Sequence, residues 1–234
     1  NVEGCDLDLA ITGTDATCAN AADGSIQTTL TGGTPDFTYT WNVDSLNGQP
    51  NPTNLAPGTY LLNVVDANNC VVTADVVIAA QFAVPTAVLS PGGSVCEDDC
   101  FDFTVNFTGA PPFLIDVAID AGAGPQILTR TTDNFSETLT LCPADFGLTD
   151  GLIQIRVLKV MDSNCLDETL AQTATLTVQP LSLHLIETTI CETANIEVNG
   201  VTYDFANPAG TEVLAGAAAN GCDSIVTINL SFFP

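Results

Sequence analysis

Apolar and polar residues alternate in short runs along most of the chain. In GGTPDFTYTWN (residues 32–42), Phe37, Tyr39 and Trp41 alternate with Asp36, Thr38, Thr40 and Asn42. The same period of two runs through SIQTTLTG, TYLLNVVD, VVTADVVIA, FDFTVNFTG, FLIDVAID, LIQIRVLKV, TATLTVQP and SIVTINLSF. Successive side chains of a strand point to opposite faces, so this is the pattern of β-strands with one face buried. Gly, Pro, Asn and Asp separate the runs every ten or so residues, as turns require, and helical periodicity is scarce. The chain reads as all-β, a row of tandem immunoglobulin-like β-sandwich domains.

Breaks near AAQFAVPTAVLSP and TVQPLSL divide it into residues 1–81, 82–180 and 181–234. An internal echo supports the division. Unit one ends its sixth strand as V-V-D-A-N-N-Cys70 and unit two as V-M-D-S-N-Cys165. Each also has a cysteine before its second strand, Cys18 in one and Cys96 or Cys100 in the other. The third unit is small for independent stability. Its last apolar run, SIVTINLSFF (residues 224–233), predicts packing against the next module or another copy of the chain by strand addition.

Charge narrows the partners. Three Lys and Arg (Arg130, Arg156 and Lys159) stand against 28 Asp and Glu, for a net charge of −25. Nucleic acid is a poor partner because counterion release needs clustered cations, and an anionic membrane surface is excluded on the same ground. An apolar fraction of 46% argues against disorder. Repulsion on this scale suits a saline exterior, where salt screens it. No apolar run approaches the roughly 20 residues that cross a bilayer, so no membrane insertion is expected. No signal peptide is visible before Asn1, which reads as a mature product or a fragment.

Nine cysteines, one histidine (His184) and no C-x-x-C pair point away from zinc and toward disulfides in an oxidising compartment. The repeated layout pairs Cys18 with Cys70, Cys96 with Cys165, Cys100 with Cys142, and Cys191 with Cys222. Cys5 is then unpaired or bonded to another chain. Strand geometry keeps an alternative open, because Cys5, at the start of the first strand, suits Cys70 better.

The first unit resembles a known family. DATCANAADGSIQTTLTGGTPDFTYTWN followed by TNLAPGTYLLNVVDANNC is similar to the SprB-type repeat of gliding-motility adhesins and surface proteins of Bacteroidetes. The shared features are T-C, D-G-S-I, G-G-T-P with aromatics and Trp, L-x-P-G-T-Y, and V-x-D-x-N-x-C, over residues 15–80. Asn69 stands where such repeats usually carry Gly; both tolerate a left-handed turn. ICETANIEVNGVTYDFANPAGTEVLAGAAANGCDS resembles another module of the same kinds of protein, and CFDFTVNFTGAPPF more loosely a PKD- or immunoglobulin-like domain. The resemblance implies a long extracellular or cell-surface protein exported by the type IX system, although the sorting domain such proteins usually carry is not in this sequence.

Four groups of residues have a functional and a structural reading. Phe37, Tyr39 and Trp41 are a glycan platform or the inside of a sandwich. Exposed, they would leave on the order of 500 Å² of apolar patch, the most an ordinary monomer shows. The core is therefore expected, and Tyr60 in LAPGTY fits the tyrosine corner of such sandwiches. Asp6/Asp8, Glu97-Asp98-Asp99, Asp116/Asp120 and Asp66 with Asn68 and Asn69 offer oxygens to calcium, but none has EF-hand spacing. A solvated surface is expected and no cofactor, with interdomain calcium as the sharper alternative. Ser45 and Ser224, in D-S-L and D-S-I, resemble the Bacteroidetes O-glycosylation motif; the sequons at Asn106, Asn134 and Asn229 carry no such expectation in a bacterium. His184 lies in a strand-like run with no nucleophile elbow, so no enzyme is expected. The function expected is a structural, adhesive segment of a surface protein or extracellular filament, with neighbouring modules or copies of itself as partners. The alternative is a carbohydrate-binding module that attaches to surface polysaccharide.

Overall fold

A computed structural model describes residues 5–233. Strands make up 58% of it. Among the described residues the helical pieces are two short 3-10 turns, Asp44–Leu46 and Pro143–Phe146.

Unit one contains β1 (Asp8–Thr14), β2 (Ala16–Cys18), β3 (Gly24–Thr31), β4 (Thr38–Trp41), β5 (Thr53–Leu55), β6 (Gly58–Val65), β7 (Val71–Ile78) and β8 (Ala80–Phe82). Its sheets β1-β3-β5 and β4-β6-β7 close over Ile26, Trp41, Leu55, Leu62, Val64 and Ile78. Unit two contains β9 (Thr86–Leu89), β10 (Gly93–Cys96), β11 (Phe101–Thr108), β12 (Phe113–Asp120), β13 (Gln126–Thr132), β14 (Ser136–Leu141), β15 (Gly151–Met161), β16 (Leu166–Asp167) and β17 (Thr173–Gln179). Here β14-β11-β9 packs on β10-β17-β15-β12-β13. Alternation is strict in β12, where Phe113, Ile115, Val117 and Ile119 all enter the core.

Unit three contains β18 (Ser182–Cys191), β19 (Ile196–Val198), β20 (Val201–Tyr203), β21 (Ala209–Leu214) and β22 (Ser224–Phe233). The sheet β18-β22-β21 and the β19-β20 hairpin share a core of Tyr203, Val226, Ile228 and Leu230. The run expected to await a neighbouring strand is β22, and it lies in the middle of this sheet. It pairs in parallel with β18 on one side and antiparallel with β21 on the other. Over Ser224–Leu230 its backbone groups are already used on both sides, so strand addition cannot occur along that stretch.

One feature recurs in all three units. A strand near the start of the unit ends in cysteine and pairs in parallel with the unit's last strand, aligning Cys18 with Phe82, Cys96 with Gln179 and Cys191 with Phe233. The cysteine therefore sits at the end where the chain leaves the unit. The turn before the last strand, with Cys70, Cys165 or Cys222, sits at the opposite end.

Candidate functional site

The chemistry of this protein concentrates at the ends of the units. At the turn end of unit one, Asp66 is buried and its carboxylate accepts three backbone N–H groups: Thr34 (2.9 Å), Asn68 (2.8 Å) and Cys70 (2.8 Å). Unit two repeats the arrangement with Asp162, which accepts from Ala110 (2.9 Å), Asn164 (2.8 Å) and Cys165 (2.7 Å). Each carboxylate ties the turn that carries the cysteine to the loop before β4 in unit one and before β12 in unit two. The loops are close-packed enough to need glycine: a Cβ on Gly109, at φ +131, would lie 2.5 Å from the Asp162 carboxylate. Asn69 takes φ 64 in the first turn, a left-handed position that Asn tolerates. The Thr34 amide holds the Asp66 carboxyl below the usual carboxylate range, against the opposing effect of burial and helped by Cys70 and Asn68. For Asp162 burial is the largest influence and pushes upward, but the amides of Ala110, Cys165 and Asn164 together outweigh it and hold the carboxyl low. Asp66 is thus not the solvated or calcium-facing acid that the sequence suggested.

These turns carry the disulfides. Cys5 bonds Cys70, Cys18 bonds Cys165, Cys96 bonds Cys222 and Cys100 bonds Cys142. Cys191 is free and exposed. The expected pairs Cys18–Cys70, Cys96–Cys165 and Cys191–Cys222 do not form, and Cys5 is not left over. The reason is the same each time. Each expected pair joins the exit end of one unit to its own turn end, across the whole last strand. From Cys70 to the level of Cys18 the chain runs through β7 and β8, on the order of 35–40 Å at strand rise. A disulfide reaches about 7 Å between Cα atoms. Cys18 and Cys96 instead meet the turn cysteine of the following unit.

Polar contacts accompany the junctions. Asn20 Nδ2 donates to Leu166 O (2.8 Å) across the first, and Asn220 Nδ2 to Pro180 O (2.8 Å) across the second. A shallow pocket lined by Cys18, Asn20, Ala21, Leu166, Glu168 and Thr169 marks the first seam. Before β1, Asp6 Oδ1 accepts the Gly33 amide (3.0 Å), which brings the adjacent Cys5 to Cys70.

The other sequence candidates are dispersed. Trp41 is 3% exposed; its Nε1 donates to Gln49 O (2.9 Å), and Phe37 and Tyr39 are half-buried against the same core. Thr38, Thr40 and Asn42 form the exposed side of that strand. Tyr60 is buried and its hydroxyl donates to Ala56 O (2.8 Å). Ser45 is exposed on the turn Asp44–Leu46, but Ser224 is 3% exposed at the start of the central strand β22. A hydroxyl enclosed there is closed to a glycosyltransferase, which corrects the expectation for Ser224. Asp116 is held by Lys159 (2.8 Å) and Thr129 (2.6 Å), and Asp120 by the Gly122 amide (2.8 Å). The Lys159 hydrogen bond depresses the Asp116 carboxyl further than burial raises it, with Thr129 adding to it. Asp98, Asp99 and Cys96 cluster on the surface, but Cys96 is a disulfide sulfur and no thiolate ligand. His184 contacts Ser182 Oγ (3.0 Å) on exposed β18, and among the described residues no carboxylate completes a relay. Among the described residues no helix is long and apolar enough to cross a membrane.

Residues 10–45 match the SprB repeat family, a span that runs from β1 through the aromatic strand β4. No curated protein sequence matches the chain. Among solved structures, a 1.5-MDa bacterial ice-binding adhesin is 12% identical, with 97% of this chain and 98% of that one covered and a TM-score of 0.37. A tetra-tandem repeat from the extending region of a large adhesion protein is 16% identical, covering 95% and 64%, with a TM-score of 0.31. The FN1-FN3 domains of chicken CNTN1 are 12% identical, covering 88% and 73%, with a TM-score of 0.30.

Proposed function

We propose that the chain is a load-bearing segment of a long bacterial surface or extracellular protein, with modules at residues 1–82, 83–180 and 181–234 stapled end to end, the first ending with β8 one residue beyond the expected boundary. The observation that carries this reading is the disulfide connectivity. Cys18–Cys165 and Cys96–Cys222 each join one hydrophobic core to the next. A stretching force that enters at Cys5–Cys70 passes along residues 70–96 and crosses to Cys222. Those residues are largely strand already, β7 through β10, so little length is left to release. The sandwiches hang beside this covalent route and are not in series with it. The function is mechanical, and adhesion is delivered by whatever the parent protein carries at its tip. The SprB repeat match supports a Bacteroidetes cell-surface setting and type IX export. Dense negative charge keeps long arrays soluble and apart.

Burial of Trp41 weighs against the polysaccharide-binding alternative, which needs that ring in the open. The test is a protease cut in the linkers between units, at residues 83–85 or 180–181. Under non-reducing conditions the pieces are expected to stay together, and dithiothreitol to separate them. Pieces that separate without reductant would refute the stapled rod.

A further inference from the structure

Cys191 is the third member of a set whose first two members are bonded. Cys18, Cys96 and Cys191 each end a strand paired in parallel with the unit's last strand. In each, the cysteine carbonyl accepts the amide three residues on: Ala21 (3.0 Å), Asp99 (3.1 Å) and Ala194 (2.9 Å). The two closer relatives also agree in sequence, Val95-Cys96-Glu97 and Ile190-Cys191-Glu192, with the aliphatic residue turned to the core and the cysteine away from it. Spacing agrees as well. Cys70 and Cys96 are about 26 residues apart, and so are Cys165 and Cys191. Two covalent routes therefore interleave along the molecule. One runs Cys70 to Cys96 to Cys222. The other runs Cys18 to Cys165 to Cys191 and stops at a thiol.

Aromatic rings are exposed at the same end as that thiol, next to the exposed carboxylate Glu192. Phe233 is 48% exposed beside Cys191, and Phe205, 60% exposed, stacks edge-on against Phe232. Phe82, 44% exposed, holds the same place beside Cys18 at the first junction.

We propose that Cys191 is the open half of a third staple, taken by the turn cysteine of a further module of this architecture seated on the Phe205–Phe233 end of unit three. The bond forms through a mixed disulfide: the two thiols give up two protons and two electrons to a small-molecule disulfide, which is released as two thiols. This extends the mechanical reading above and rests on it, yet the two fail separately. The internal staples can hold the rod together whether or not Cys191 has a partner.

The unit-one turn of a second copy serves as the probe. Cys5→Ser frees Cys70, so each full-length chain then carries an exit thiol at one end and a turn thiol at the other. In a glutathione redox buffer Cys5→Ser is expected to give a ladder of disulfide-linked dimers, trimers and longer species, with peptide mapping joining Cys191 to Cys70. The double variant Cys5→Ser/Cys191→Ser is expected to lose the ladder. The unmodified chain provides a reading independent of how Cys5→Ser folds: Cys191 attacks Cys5–Cys70 of a second copy, and the released Cys5 thiol is labelled by maleimide. Only Cys191–Cys191 dimers, or glutathione adducts at Cys191 with no Cys191–Cys70 link in either chain, would overturn the proposal.

Discussion

Units two and three are held together by different means. Unit two buries nineteen apolar residues in one cluster, among them Phe103, Phe113, Ile115, Ile153 and Ile155, and adds its own Cys100–Cys142 bridge. Unit three buries four, Tyr203, Val226, Ile228 and Leu230, and leaves Leu183 and Leu185 at 75% and 64% exposed. A core of that size cannot offset the conformational entropy of about fifty residues. What unit three has instead is its neighbour: Cys222, in the turn before its central strand, is bonded to Cys96. The comparison teaches that packing stabilises the middle unit from within, while the terminal unit borrows stability along the covalent route that is proposed to carry load.

The largest expected break is Cys96→Ser with Cys222→Ser. With unit two folded, Gln179 is fixed beside Cys96, so the bridge closes about 43 residues up to Cys222 and its removal costs about 4 kcal/mol by the chain-entropy relation. Hydrogen exchange is expected to show β18–β22 unprotected while β11, β12 and β15 stay protected. Next come paired core truncations. Ile228→Ala and Ile155→Ala, both at fully buried sites, each cost about 2–5 kcal/mol. Calorimetry is expected to show unit three melting out separately in the first, and in the second only a lowered unit-two transition.

A smaller effect is expected at the turns. Asp162→Asn removes the charged acceptor of three amides and costs about 1–3 kcal/mol. Because the native Asp66 and Asp162 carboxyls lie below their unfolded value, their stabilisation is complete above about pH 4 and is lost as pH falls through the native values. Acid titration is therefore expected to loosen units one and two, with Asp162→Asn flattening the response of unit two. The smallest contrast lies in two buried tyrosines. Tyr203 donates to the Glu212 carboxylate (2.5 Å) and Tyr60 to a neutral carbonyl. Tyr203→Phe is expected to cost about 2 kcal/mol and Tyr60→Phe about 1 kcal/mol, by thermal melts followed unit by unit.

Much of this fold is legible in the chain, because a period of two over β12 or β6 records a buried face directly. Trp41 and Tyr60 likewise stand in patterns that place them. The cysteine pairing is not legible from the layout of a single unit, because two of the bridges cross unit boundaries. Strand geometry already favours Cys5 over Cys18 as the partner of Cys70, and that alternative is the bond that forms; what the sequence does not reveal is where Cys18 goes instead, which depends on the next unit. A usable trace did exist: the equal spacing of Cys70 to Cys96 and of Cys165 to Cys191 runs across unit boundaries. Asp66 stands out in the sequence as a carboxylate beside Asn68 and Asn69 but not as a buried cap, because Thr34, which donates to it, is distant in sequence. Ser224 misled for a similar reason. A motif of three residues carries no information about a strand that only long-range pairing with β18 and β21 encloses.

The most direct test is to stretch single molecules held at their two ends, oxidised and then reduced. With the disulfides intact, the covalent path from Cys5 to Cys222 crosses two bridges and about 26 residues, so its greatest length is about 100 Å. After reduction the same two residues are separated by about 217 residues and on the order of 750 Å of chain. The account predicts that the oxidised chain yields almost no added length up to forces that break covalent bonds, and that reductant releases the full extension. Unfolding steps of several hundred ångströms in the oxidised chain would contradict it.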